Sequence, residues 1–332
     1  MRSVFLSTGI AVPDRVVTND DLAKLMDTSD EWIRTRTGIQ ERRWAPDGDR
    51  EWTSDIAAEA SKMALERAGM AARELDCIIF ATVSPDYMMP GSGTLLQAKL
   101  GVPDIPCLDV RNQCSGFLYG LSVADAWIRT GQYRRILLVG SEVQSRGIDP
   151  TTKGRDLAVL FGDGAGVAIL GPSDDPDRGV LSTHLYADGS QAKILWCDLG
   201  GVAHNPRLTP ELLEQGLQYP VMLGKEVFKN ASTRMPAAVR QALAANGLAI
   251  DDITLFIPHQ ANLRISEMVQ KQLGLRDDQV FNNIQRYGNT TAASIPLALH
   301  EALEAGRLKR GDLLVLAAFG AGLTWAATAI RW

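Results

Sequence analysis

The second half of this sequence repeats the first. Ile253–Pro258 resembles Ile78–Val83, and Phe281–Gly311 resembles Leu108–Arg134. Gly131-Gln132-Tyr133-Arg134-Arg135 is echoed by Gly306-Arg307-Leu308-Lys309-Arg310, and each precedes an apolar strand. The interval from Cys114 to Gly131 equals that from Asn289 to Gly306. Cys114 and Asn289 are therefore expected at matching places in two copies of one βαβ-type unit. Two alternating β/α halves predict a layered α/β fold. Such a duplication sets equivalent helix N-termini near a pseudo-twofold axis, facing one shared site. Pro172–Arg178, rich in Pro and Asp, is the best linker candidate.

Chemistry is expected at Cys114. A buried strand is predicted from Ile105 to Val110 and a helix from Cys114 to Thr130, stopped by Gly131. A cysteine at a strand-to-helix junction meets unpaired backbone N–H groups and the positive end of the helix dipole. That place lowers a thiol pKa and favours the nucleophilic thiolate. The same N–H groups can bind an oxyanion. Strands are also predicted at Ser3–Thr8, Cys77–Val83 and Arg135–Gly140, and helices at Thr18–Met26, Ser29–Thr35, Thr53–Ala68 and Gly91–Leu100. Ala158–Gly171 reads as an apolar strand interrupted by Gly162-Asp163-Gly164-Ala165-Gly166.

Composition excludes several classes. The chain's 332 residues suffice for a large core, and a net charge of −5 argues against general nucleic-acid binding. Cys77, Cys107, Cys114 and Cys197 show no metal-type spacing and fit reduced thiols in the cytosol. Of these, Cys77, Cys107 and Cys197 read as core. His184, His204 and His300 read as surface or structural, and no His/Cys cluster supports a metal. The N-terminus lacks a secretion-type apolar region, and no apolar run approaches the roughly 18 residues that span a bilayer. A soluble, cytoplasmic protein with no membrane insertion is expected. Gly162–Gly166 lacks the Gly-Lys-Ser/Thr of a phosphate loop, so a tight turn packed at a dimer interface is expected instead.

Three stretches together resemble the thiolase-fold condensing enzymes, most closely the β-ketoacyl-acyl-carrier-protein synthase III branch. They are Asp109–Gly116 (DVRNQCSG), Pro258–Ile265 (PHQANLRI) and Tyr287–Pro296 (YGNTTAASIP). Thr28–Arg43, Phe161–Gly166 and Phe319–Trp325 support them, and the match runs from Thr8 almost to Trp332. The resemblance implies a thiolase-like fold with duplicated βαβ halves in five layers, α-β-α-β-α. It implies one half (1–172) carrying the nucleophile and another (173–332) carrying the His and Asn. It implies a Cys114, His259, Asn289 triad and an oxyanion hole from the N–H groups of Cys114 and Ala321. An acyl-CoA would acylate Cys114. Malonyl-acyl carrier protein would then lose CO2 and attack, giving a 3-ketoacyl-acyl carrier protein. His259 is expected as a neutral imidazole N–H donor beside the Asn289 amide.

By the same resemblance, Trp32, Arg36 and Arg155 match contacts to the CoA nucleotide, and Gly224 and Asn262 match pantetheine contacts. Lys229, Arg264 and Lys271 match a basic patch for the acidic carrier protein. Arg264 and Lys271 are expected on one helix face. Met89, before Pro90, matches a residue that reaches across a homodimer to cap the partner's acyl pocket. No cofactor and no metal are implied. Arg111-Asn112-Gln113 stand where small residues are usual, and Ala321 where Gly is usual. Those departures keep a second reading open: a related acyltransferase or condensing enzyme of secondary metabolism with a different acceptor.

Overall fold

The structure is a computed structural model describing residues 1–48 and 51–332. The chain opens with β1 (Arg2–Ala11) and β2 (Val16–Thr18), then helices α1 (Asn19–Ala23) and α2 (Asp30–Thr37), then β3 (Glu41–Arg43). Helix α3 (Thr53–Ala68), β4 (Cys77–Ala81), α4 (Ser92–Lys99) and β5 (Cys107–Val110) follow. Next come α5 (Gly116–Arg129), β6 (Ile136–Glu142), α6 (Arg155–Ala158) and β7 (Gly164–Ser173). Beyond residue 178 lie β8 (Gly179–Ala187), β9 (Leu195–Trp196), α7 (Pro210–Glu214), β10 (Val221–Met222) and α8 (Gly224–Ala244). The chain finishes with β11 (Leu255–Pro258), α9 (Leu263–Leu273), α10 (Ile284–Tyr287), α11 (Ser294–Glu304), β12 (Leu313–Gly320) and β13 (Thr324–Arg331).

Local chemistry sets several boundaries. Ser29 caps α2 by accepting from the Trp32 N–H, and Gly38 ends it with φ 77°. Helix α3 stops where Gly69 turns left-handed at φ 62°.

Two sheets carry the fold. The first runs β1-β7-β6-β4-β5 and the second β11-β12-β13-β8. Residues alternate across each strand, so each sheet packs on both faces. Ile78 and Phe80 meet Ile56, Ala60 and Ala64 of α3 and Leu96 of α4. Cys77 and Ile79 turn the other way, toward Phe117, Leu121 and Ile128 of α5. That inner core also takes Ile295 and Leu299 of α11, and Ile257, Leu314 and Leu316 of the second sheet. Phe256, Val315 and Ala327 face outward onto Met235 and Val239 of α8 and Val269 of α9. The order is five layers, with α5 and α11 buried between two sheets.

The duplication is real but its register differs from the sequence expectation. Each central helix follows a tight 3₁₀ turn, Gln113–Ser115 before α5 and Thr291–Ala293 before α11. Each turn holds a non-glycine residue at positive φ: Gln113 at 44° and Thr291 at 50°. Helix α5 has 14 residues and α11 has 11. Counting back from Gly131 and Gly306 therefore misaligns the far ends. The counterpart of Cys114 is Ala292, and Asn289 lies one turn earlier, where it bridges to Phe161.

Two other expectations change. Residues 159–163 are not strand; β7 starts at Gly164. The Gly162–Gly166 segment also packs tightly within the chain: a Cβ on Gly162 would sit 2.1 Å from the Tyr287 carbonyl, and one on Gly166 2.7 Å from the Leu297 nitrogen. Cys197 is exposed rather than core.

Candidate active site

Cys114, His259 and Asn289 line one cavity of about 790 Å³. The elements that hold them come from both halves. Cys114 sits in the turn before α5, where Ser115 Oγ donates to the Thr324 carbonyl at 3.0 Å. The end of β12 lies against it: a Cβ on Gly320 would be 2.8 Å from Cys114 Cβ and 3.2 Å from its Sγ. Ala321 follows directly and keeps a negative φ, so its backbone can present an N–H as a glycine would. His259 follows β11, with its own N–H donated to the Ala317 carbonyl at 2.7 Å. Asn289 is fixed through its backbone, donating to the Leu160 carbonyl at 2.7 Å and accepting from Gly162 at 3.1 Å. Its Oδ1 accepts the Thr291 N–H at 2.9 Å, which leaves the NH2 for the cavity.

The electrostatics overturn one expectation. Cys114 is buried, and desolvation pushes its thiol up to about 12, helped by nearby Glu142. The helix-terminus effect is outweighed because removing a thiolate from water costs more than one turn's dipole returns. His259 is also buried, and desolvation pushes it down to about 3. The resting pair is a neutral thiol and a neutral imidazole.

Glu142, at the end of β6, was not singled out by the sequence reading. It is fully buried, and burial raises it to about 7. Its carboxylate accepts from Thr82 Oγ1, from the Val83 and Ser84 N–H groups, from Ser84 Oγ at 2.6 Å and from the Ala292 N–H at 3.3 Å. Gln144 donates to Thr291 Oγ1 at 2.8 Å. The two side chains pin the turn that carries Asn289. Gly-Ser-Glu at the end of an apolar strand was the available signal.

The outer cavity is built by α2, α6 and α8. Two guanidiniums lie over the Trp32 ring, with Arg36 4.4 Å and Arg155 4.7 Å from its centre. Beneath it, fully buried Arg42 donates to the Val17 and Val159 carbonyls and to Asn19 Oδ1. Asn19 in turn donates to Asp30, at the head of α2. Gly224 and Asn262 also line the cavity. Asn262 caps α9 by accepting the Arg264 N–H at 2.8 Å, and it donates to the Arg36 carbonyl. Lys225 adds a cation that the sequence reading passed over, although it stands beside Gly224. Leu195, Met222, Phe228, Met235, Ile265 and Phe319 form an apolar wall.

Other expected residues lie outside this cavity. Lys229, Arg264 and Lys271 are exposed on α8 and α9. Arg264 is already engaged, pairing with Glu267 at 2.9 Å and donating to the Thr35 carbonyl. Met89 is 86% exposed. Among the described residues, no group of three or more His, Cys, Asp or Glu could hold a metal, and no helix is long and apolar enough to cross a membrane.

The chain and its fold are similar to those of known proteins. The model of 3-oxoacyl-[acyl-carrier-protein] synthase III matches residues 108–189, and that of its C-terminal region matches 243–332. The β-ketoacyl-[acyl-carrier-protein] synthase III of Roseiflexus sp. (strain RS-1) is 48% identical over 98% of this chain and 96% of its own length. The crystal structure of 3-oxoacyl-[acyl-carrier-protein] synthase III from Aquifex aeolicus VF5 superposes with a TM-score of 0.91 at 41% identity, covering 99% of this chain and 100% of that one. The priming β-ketosynthase of the R1128 polyketide pathway is similar too, with a TM-score of 0.88 at 33% identity over 99% of this chain and 95% of its own. The fold and the full-length identity lead to one conclusion: the chain belongs to the 3-oxoacyl-[acyl-carrier-protein] synthase III family.

Proposed function

We propose that this chain condenses an acyl-CoA with malonyl-acyl carrier protein, giving a 3-ketoacyl-acyl carrier protein and CO2, the initiating step of fatty acid biosynthesis. The observation that carries this reading is the shared cavity, which runs from the Trp32 platform to Cys114, His259 and Asn289. An acyl-CoA lays its nucleotide on Trp32, Arg36 and Arg155 and its pantetheine past Gly224 and Asn262. Cys114 Sγ attacks the thioester carbonyl, the C–S bond to CoA breaks, and the thiol proton leaves on the CoA sulfur. The N–H groups of Cys114 and Ala321 receive the oxyanion. Malonyl-acyl carrier protein then loses CO2. His259 and Asn289 donate to the resulting enolate oxygen, and its carbon attacks the acyl group, which frees Cys114. Each step uses thioesters and side chains already named, so the reaction calls for no cofactor.

The partners follow from exposed features. Lys229, Arg264 and Lys271 would steer an acidic carrier protein, with Lys225 nearer the mouth. A homodimer would cover the exposed Tyr87, Met88 and Met89 and the outermost strand β5, and Met89 would enter the partner's acyl pocket. The working division is 1–172 and 173–332, each half supplying one sheet. Four free cysteines fit a cytoplasmic setting.

Intact-mass measurement after incubation with acetyl-, isobutyryl- and octanoyl-CoA tests the reading. One acyl adduct on Cys114, lost in Cys114→Ala and discharged by malonyl-acyl carrier protein, is expected. No adduct from any acyl-CoA would sink it. An adduct that malonyl-acyl carrier protein leaves in place would favour a different acceptor.

A further inference from the structure

His259 is the one triad member whose chemistry depends on which ring nitrogen carries the hydrogen. Its Nε2 is buried at the cavity and meets no partner among the described residues. Its Nδ1 lies 2.6 Å from Ser294 Oγ, at the first residue of α11. Ser294 is buried, and its oxygen also receives the Gln260 backbone N–H at 3.3 Å. A hydroxyl accepts through its lone pairs and donates its single hydrogen. With Gln260 donating to it, that hydrogen needs an acceptor in a site shut off from water. Nδ1 is the acceptor within reach. The Gln260 side chain offers none, because its Oε1 already receives the Asn283 and Ile284 N–H groups.

We propose that Ser294 is a positioning residue: its hydroxyl donates to Nδ1 of His259, holds the ring as the Nε2–H tautomer, and so presents a donor rather than a base to the cavity. The inference rests on the reading of His259 as a donor to the enolate. An Nε2–H ring cannot take the Cys114 proton. It can meet the negative charge that develops on the malonyl thioester oxygen as CO2 departs. Burial keeps the ring uncharged well below neutral pH, so the tautomer governs its role at every working pH. The sequence signal was the Ser of Ala-Ser-Ile-Pro, five residues after Asn289.

NMR of the full chain with ring-¹⁵N histidine reads the tautomer directly, and His259→Ala assigns the His259 signals. The wild-type ring is expected to carry its hydrogen on Nε2 and to show a bare Nδ1. Ser294→Ala is expected to give mixed tautomers. Decarboxylation of malonyl-acyl carrier protein by that variant is expected to fall about 10- to 100-fold. Acylation of Cys114 from acyl-CoA is expected to change by less than about threefold, because the proposed His259 role lies outside that step. Ser294→Cys keeps a weaker donor and is expected to regain part of the loss. A wild-type ring protonated on Nδ1 overturns the proposal. So does a Ser294→Ala protein with tautomer and decarboxylation unchanged. Equal loss in both half-reactions with the tautomer unchanged marks a merely structural serine and also overturns it. A wild-type Nε2–H ring that Ser294→Ala disturbs, in a protein that leaves malonyl-acyl carrier protein intact, supports the tautomer assignment and removes the proposed reaction instead.

Discussion

Strand β6 ends in Glu142, and β12, its counterpart in the other half, ends in Gly320. Both strand ends press on the turn that opens the opposite half's central helix. Glu142 reaches the Asn289 side and takes the Ala292 N–H, while Gly320 lies bare against Cys114. One half fills the position with a buried acceptor ringed by donors. The other carries no side chain there, which lets the strand end pack directly against Cys114. The difference teaches how a duplicated fold becomes a single asymmetric site. The turn before α11 is clamped by a buried carboxylate, and the turn that carries Cys114 packs against bare backbone.

Glu142→Leu strands the Thr82, Val83, Ser84 and Ala292 donors in the core. It should cost roughly 3–5 kcal/mol, read as a lower midpoint in denaturant unfolding. An unchanged midpoint would remove the clamp from the account. On the Cys114 side, Gly320→Ala drives a Cβ to 2.8 Å from Cys114 Cβ. Overpacking there should cost about 1–3 kcal/mol, and the acylation rate should fall further than stability alone explains. Normal acylation by a folded Gly320→Ala protein would show that the close approach is incidental.

Protonation sharpens the contrast. Glu142 is raised to about 7, so the stability it contributes is present below its unfolded value near 4.5 and is lost as pH rises toward 7. His259 is lowered to about 3, so its contribution is present above 6.5 and is lost as pH falls toward 3. The two slopes oppose each other between about pH 4.5 and 6.5. Each amounts to about 1.4 kcal/mol per pH unit. Relative to wild type, His259→Ala should therefore gain stability as pH falls from 6.5. Equilibrium unfolding across that range checks the sign. The smallest effect compares the two left-handed residues. Gln113→Gly should change stability by less than about 1 kcal/mol, in the stabilising direction. Thr291→Gly gives up the bond from Gln144 and should come out less stable than Gln113→Gly in the same melt.

Much of the site was legible along the chain. Ser29 before α2, Gly69 after α3 and the apolar run in Cys77–Ala81 are local signals, and the structure repeats them almost to the residue. Cys114, His259 and Asn289 stood in recognisable motifs, as did Trp32 and Arg36, and one cavity unites them. Ser294, Glu142 and Lys225 were overlooked because each matters through a neighbour distant in sequence. The repeat was visible too, yet its register failed, because equal spacing to a terminal glycine does not reveal that one helix is shorter.

What the residues determined by themselves is the set of elements, their caps and the residue types of the triad, since these depend on neighbours within a few positions. Tertiary structure decided the rest. A thiol at the turn before a helix reads as activated, but the enclosing sheets and helices strip it of water and hold it protonated. Desolvation, the tautomer of His259 and the close approach of Gly320 to Cys114 are properties of surfaces brought together from both halves, so no stretch of sequence encodes them alone.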